Sequence, residues 1–195
     1  MDAQSALATS KPFFAKPVSM LYSFYLNAVE SPEQYHDWFE AIRMAGENDI
    51  VRIHINSPGG NLNTTIQLMR AIQDSEATVI TSVEGECMSA ATLIFLTGDM
   101  AEISPHSMFM FHNYSGGTIG KGGEMLDQLQ YQHDWSNKLF REVYEAFLTE
   151  EEIDDMIKGK DLWMTGDEVT ERLNQRAEFL SIKLADEQQD PPPSE

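Results

Sequence analysis

Hydrophobic residues in this chain fall into short runs separated by polar turns, and the runs differ in period. Residues 20–27, rich in Leu, Tyr and Phe, read as a strand, as do 51–55, 77–83 and the short 108–111. Segments of helical period lie between them. Tyr35, Trp38, Phe39 and Ile42 recur at helical spacing after Ser31-Pro32, and Ser31 with Gln34 predicts a capping box; Gly46 supplies the stop. Leu62, Ile66, Met69 and Ile72 define one side of a second helix over 62–72. The small-residue segment 90–96 makes a third, closed by Gly98. A long amphipathic helix over about 124–147 carries Met125, Leu129, Trp135, Leu139, Phe140, Val143 and Phe147. Thr149 with Glu152, and Thr165 with Glu168, predict two more capping boxes. Strands alternating with helices imply an α/β fold of parallel βαβ units with right-handed crossovers.

The ends break this pattern. Residues 1–17 are small, polar and Pro-containing and read as a flexible N-terminal arm. Residues 184–195, acidic and ending near Pro191-Pro192-Pro193, read as a disordered tail, which leaves one domain over 18–183. Apolar residues make up 42% of the chain, enough for a substantial core. A net charge of -19 argues against nucleic acid and anionic membrane as partners, since both require clustered Lys and Arg. No apolar stretch approaches the ~20 residues of a membrane span, and residues 1–17 lack the apolar core of a secretory signal. The expectation is a soluble cytoplasmic protein. Cys87 is the sole cysteine, so no internal disulfide forms. No His pair has metal-ligand spacing, and neither a metal nor a cofactor is expected.

Ser89 is the first residue of chemical interest. It opens a helix directly after a strand, near the positive end of the helix dipole, with small Ala90 and Ala91 beside it. Local sequence alone favours a helix cap, and Gly-x-x-x-Ser is not the Gly-x-Ser-x-Gly elbow of α/β hydrolases. The turn Ser57-Pro58-Gly59-Gly60 raises the alternative of a nucleophile. Adjacent glycines after a buried strand can expose backbone N–H groups to a developing oxyanion, although an ordinary tight turn reads the same way. A serine nucleophile also needs a base and a group to orient that base. His112 ends an apolar strand ahead of the glycine-rich loop Gly116, Gly117, Gly120, Gly122, Gly123, a suitable position for a general base. His54 and His36 read as structural. Asp161, where a polar loop meets Leu162-Trp163-Met164, is a candidate orienting acid. Asp154 and Asp155 compete for that role but look like a solvated helix face.

These pieces, in this order and over about residues 20–180, resemble the proteolytic subunit family of the Clp protease. Ile55-Asn56-Ser57-Pro58-Gly59-Gly60 is similar to that family's Ile-Asn-Ser-Pro-Gly-Gly signature, which relatives such as signal peptide peptidase A share. The segment 85–91 resembles its nucleophile segment, Met110-Phe111-His112 its Met-Ile-His, and Asp161-Leu162-Trp163-Met164-Thr165 its aspartate segment. The resemblance implies a Clp/crotonase-like α/β superhelix of repeated ββα units with a long protruding handle helix. It implies Ser89 as nucleophile, His112 as base and Asp161 as orienting acid. Backbone N–H groups of Gly60 and Ala90 would form the oxyanion hole, and Gly59, Gly116 and Gly117 would contact extended substrate. It further implies an ATP-independent serine endopeptidase subunit acting on polypeptides inside a homo-oligomer. The expected assembly is heptameric rings stacked in pairs, with an AAA+ unfoldase as candidate partner and no cofactor. The sequence departs from the family in Cys87-Met88 before the serine, in Ala90 after it, and at both ends, which suggests a divergent member such as a viral or phage-encoded form. Three alternatives stand beside this reading. They are a non-catalytic ring-forming pseudo-peptidase, a crotonase-like acyl-CoA enzyme, and a Ser–Lys peptidase with Lys121 as base.

Overall fold

A computed structural model describes residues 18–189, with side chains described over 18–185. The expected arm at 1–17 and the end of the expected tail lie outside the described residues. The elements run β1 (Leu21–Leu26), a 3-10 turn (Pro32–Tyr35), α1 (His36–Met44), β2 (Ile50–Ser57), α2 (Leu62–Gln73), β3 (Thr78–Met88), α3 (Ala90–Phe95), β4 (Met100–Ile103), β5 (Met108–Phe111), α4 (Gly122–Val143), α5 (Glu150–Ile157), β6 (Leu162–Thr165) and α6 (Gly166–Gln189). Among the described residues no helix is long and apolar enough to cross a membrane.

One six-stranded sheet organises the molecule. Its order is β1-β2-β3-β5-β6, with β4 also paired to β3. β1, β2, β3, β4 and β5 pair in parallel, and β6 closes the edge antiparallel to β5. β3 is the pivot. Its first half, Ile80–Val83, pairs with β4, and its second half, Glu86–Met88, pairs with β5. The sequence pattern ends this strand at residue 83, whereas the chain stays extended to Met88 because β5 supplies a second ladder for its backbone groups.

The core follows strand alternation. Val51, Ile53, Ile55 and Ser57 of β2 are buried, while the residues between them are more exposed. They meet Val79, Thr81 and Val83 of β3 and the helices α1, α2 and α3. α3 is buried along its whole length, which explains its small and apolar composition. α2 buries Thr64, Thr65, Leu68, Met69, Ala71 and Ile72, so its inner face is rotated from the expected one and Leu62 and Ile66 are only half-buried. That shift reflects contact with α1 on one side and α3 on the other.

The capping predictions divide. Thr149 and Glu152 form the reciprocal box at α5, and Thr165 and Glu168 do so at α6. Ser31 makes no side-chain cap; the chain turns through a 3-10 segment first, and α1 begins at His36. α6 continues to Gln189, past residue 184, where the sequence pattern places the start of the tail.

Candidate active site

Ser89 sits between the end of β3 and the start of α3. Met88 pairs with Met110 across β3 and β5, and the Ser89 N–H donates to Met110 O at 2.8 Å. Both strands are therefore pinned where they end, one step before Ser89 on one and two before His112 on the other. Across that gap His112 Nε2 lies 2.6 Å from Ser89 Oγ, a hydrogen-bonding distance. The cap reading of Ser89 fails, since its side chain makes no cap hydrogen bond. Its backbone is at φ 54°, ψ -128°. A non-glycine residue in such a region costs about 1–3 kcal/mol and persists only where its surroundings hold it. The holding contacts come from Thr92, whose N–H and Oγ1 both donate to Ser89 O, at 2.9 and 2.6 Å. Thr92 Oγ1 also bonds Tyr144 OH at 2.7 Å. Burial pushes the Tyr144 hydroxyl well above its ordinary pKa, so it stays protonated and donates.

The glycine turn packs directly against this serine. Gly59 adopts φ 95°, and a Cβ there would lie 2.7 Å from Met88 O, 2.8 Å from Ser89 Cβ and 2.9 Å from Ala90 N. Only glycine permits both the conformation and the approach. The Val29 N–H donates to Gly59 O at 2.8 Å and the Asn61 N–H to Val29 O at 2.7 Å, which ties the turn to the segment after β1. These bonds leave the Gly60 N–H without a partner among the described residues, as is the Ala90 N–H at the first position of α3. Both residues border the same cleft as Ser89.

That cleft has a volume of about 570 Å³. Leu93, Phe140 and Tyr144 line its apolar side with Trp135, while Tyr114, Gly116 and Gly117 follow directly from His112 along the opposite loop. Trp135 and Phe140 are legible in sequence as the apolar face of the long helix. Tyr114 and Gln132, which also line the cleft, carry no pattern that separates them from other loop and helix residues. Asn113 is a further residue the sequence does not single out. Its Nδ2 donates to Ile157 O at 2.9 Å, joining the end of β5 to the end of α5.

Asp161 stands apart from this tight geometry. The β5–β6 register runs from Met108↔Thr165 to Phe111↔Leu162 and ends there; continued one step, it would put His112 opposite Asp161. The residue is exposed, and among the described residues it makes no hydrogen bond to His112. Its competitors are already engaged: Asp154 pairs with Arg141 at 2.5 Å and Asp155 with Lys160 at 2.9 Å. Lys121 is largely exposed, pairs with Glu124 at 3.2 Å and does not line the cleft. His54 bonds Glu84 at 2.5 Å and stacks on Tyr25, away from the cleft. Cys87, two residues before Ser89, is fully buried, and burial pushes its thiol pKa well up, so it packs as an apolar group. Among the described residues no three His, Cys, Asp or Glu side chains cluster as metal ligands would.

A hydroxyl on a strained turn, an imidazole on it, and two unpartnered N–H groups nearby are the parts of an acyl-transfer site. Known proteins place the chain consistently with this. The family model described as Clp protease matches residues 33–172. The ATP-dependent Clp protease proteolytic subunit of Chlorella vulgaris is 34% identical over 86 residues, 43% of this chain and 43% of that protein. Subunit 1 of Salinibacter ruber is 26% identical over 130 residues, 65% of this chain and 55% of its own length. Subunit 3 of Rhizobium meliloti is 27% identical over 128 residues, 64% of this chain and 65% of its own. The matches span about half the length of these curated relatives. The mixed α/β sheet with its helices fits the fold of that family, and the match over most of the chain, across the elements that carry Ser89, His112 and Asp161, makes this chain a member of the Clp protease family.

Proposed function

We propose that this chain is a serine peptidase subunit that cleaves polypeptides through Ser89, His112 and Asp161. The observation that carries the reading is the 2.6 Å contact between His112 Nε2 and Ser89 Oγ, made by a serine whose backbone strain has no role in capping. His112 accepts the Ser89 proton as Oγ attacks the scissile carbonyl, and returns it to the leaving amine. The N–H groups of Gly60 and Ala90 receive the oxyanion, for which their lack of internal partners suits them. Water then repeats the sequence on the acyl-enzyme. Asp161 orients the imidazole through Nδ1, a role supported by the β5–β6 register, which continued one step beyond Phe111↔Leu162 would bring it opposite His112. Gly59, Gly116 and Gly117 flank the extended substrate. The subunit needs no cofactor and works in the cytoplasm as a homo-oligomer of paired heptameric rings. α4 serves as the handle between the rings, and an AAA+ unfoldase feeds the chamber.

The exposed Asp161 favours one second reading, a ring-forming pseudo-peptidase whose triad never closes. A fluorophosphonate probe on the assembled protein separates the two. Peptidase chemistry gives stoichiometric labelling that disappears in Ser89→Ala. An assembled ring that stays unlabelled, or labelling that survives Ser89→Ala, would overturn the assignment.

A further inference from the structure

A second cleft, of about 480 Å³, opens between the end of α3, β4 and α6, and it shares no lining residue with the Ser89 cleft. Phe95, Leu96, Ile103, Leu173 and Leu180 make it apolar, and Arg176 is the cation on its wall. α6 carries three cations at helical spacing, and their partners differ. Arg172 grips Glu152 with both terminal nitrogens, at 2.8 and 2.7 Å, and also donates to Phe147 O. Lys183 Nζ lies 2.9 Å from both oxygens of Glu145. Arg176, between them along the helix, donates no hydrogen bond among the described residues, and its Nη1 is sealed from water without a partner there. Glu145 attracts it from a distance but is committed to Lys183. Asp99 also lines the cleft, yet its Oδ2 accepts from the Val79 N–H at 2.8 Å.

A half-buried guanidinium without a partner is costly, because burial removes water and nothing replaces it. Burial accordingly lowers the Arg176 pKa against the pull of Glu145. The group that satisfies a planar fork of N–H donors is a planar anion, which accepts two parallel bonds. The surrounding surface demands that the rest of such a ligand be hydrocarbon.

We propose that this cleft binds an aliphatic carboxylate, with Arg176 pairing the carboxylate and Phe95, Leu173 and Leu180 packing the chain. The chemistry has two sources, the C-terminus of a peptide ending in an aliphatic residue and a free aliphatic acid. The site is independent of the peptidase assignment. The test uses the full chain and two probes, N-acetyl-leucine for the first source and octanoate for the second. N-acetyl-leucinamide and octanol are their neutral controls. At least one acid binds by calorimetry with a Kd below about 1 mM. Its neutral control is at least about tenfold weaker, the scale of one charge-assisted contact. The better acid identifies the source. Arg176→Gln removes the preference for acid over control while leaving fluorophosphonate labelling at Ser89 unchanged. Methyl spectra of the unsubstituted protein give a second readout, in which the acid shifts signals of Ile103, Leu173 and Leu180 and the neutral control does not. Equal binding of acid and control, no shift at those methyls, or an acid preference that survives Arg176→Gln overturns the proposal. Should Arg176→Gln not fold, the methyl spectra alone decide.

Discussion

The two sides of the Ser89 cleft are built differently. On the Ser89 side, backbone groups fix almost everything. β3 and β5 hold Ser89 through a ladder that ends at the Ser89 N–H, and Thr92 closes the turn from below. Gly59 packs within contact distance of Ser89 on the other side. On the acid side, Asp161 is exposed just before the start of β6, and most of α4 up to Trp135 faces solvent, with Leu126 and Tyr131 well exposed. The Ser89–His112 contact is thus set by the fold of one chain. Asp161 is exposed and a Cβ at Gly117 would meet nothing within 4 Å, so less of the chain constrains either position.

Substitutions at His112 and Asp161 measure that difference most strongly. If His112 is the base, His112→Ala should lower peptide cleavage on the order of 10⁶-fold, as for a triad histidine. Asp161→Asn should cost on the order of 10⁴-fold if its carboxylate orients His112 in the assembled protein. Cleavage assays on size-selected assemblies check both. An Asp161→Asn enzyme as active as the parent would show that the acid side is only scaffold.

Glycine substitutions sharpen the contrast at lower amplitude. Gly59→Ala combines φ 95° with three contacts under 3.0 Å to the backbone and Cβ around Ser89. Displacing that turn by about 1 Å should slow acylation about 10²-fold and destabilise the fold by about 2–4 kcal/mol. A Cβ at Gly117 meets nothing within 4 Å. Gly117→Ala should keep its stability within about 0.5 kcal/mol and its acylation rate within about threefold. Single-turnover labelling and urea midpoints of the two variants test the pair. Similar losses in both would mean that the glycine strip is as constrained as the turn.

The same division explains what was legible in the sequence. The strands at 51–55 and 108–111 and the boxes at Thr149 and Thr165 are local signals, and local forces decide them. Ser31 looks like an equally good cap, but the 3-10 turn at Pro32 satisfies the chain first, and Tyr35 packs inward instead. The strand pattern at 77–83 does not reach 85–88, where Gly85 and Glu86 disfavour strand. Its extension is imposed by β5, twenty-two residues away between Glu86 and Met108, which no local pattern carries. Ser89 shows the limit most clearly. Its sequence fits a cap, and only the placement of His112 gives its hydroxyl another partner. The glycines at 59–60 were legible as a turn, yet their closeness to Ser89 is tertiary.

A smaller loss than that of Gly59→Ala lies in the frame that carries Asp161. Glu152 of α5 and Arg172 of α6 bracket the segment running through Asp161 and β6. The Arg172 guanidinium is the main reason that the Glu152 pKa falls to about 2, with the cap bond from Thr149 adding to it and partial burial opposing it. A carboxylate depressed in the folded state stabilises that state at pH values above its ordinary range. The contribution fades as pH drops through that range toward 2, because the unfolded chain takes up the proton first. Both partners are about a quarter exposed, so solvent trims the gain. Arg172→Gln should therefore lower stability by about 1–2 kcal/mol at pH 7, and its urea midpoint should approach that of the parent as the pH is lowered from 5 toward 2. A gap that stays constant over this range would mean that Arg172 acts through packing and its bond to Phe147 O, and that the frame on the acid side is held without the charge pair.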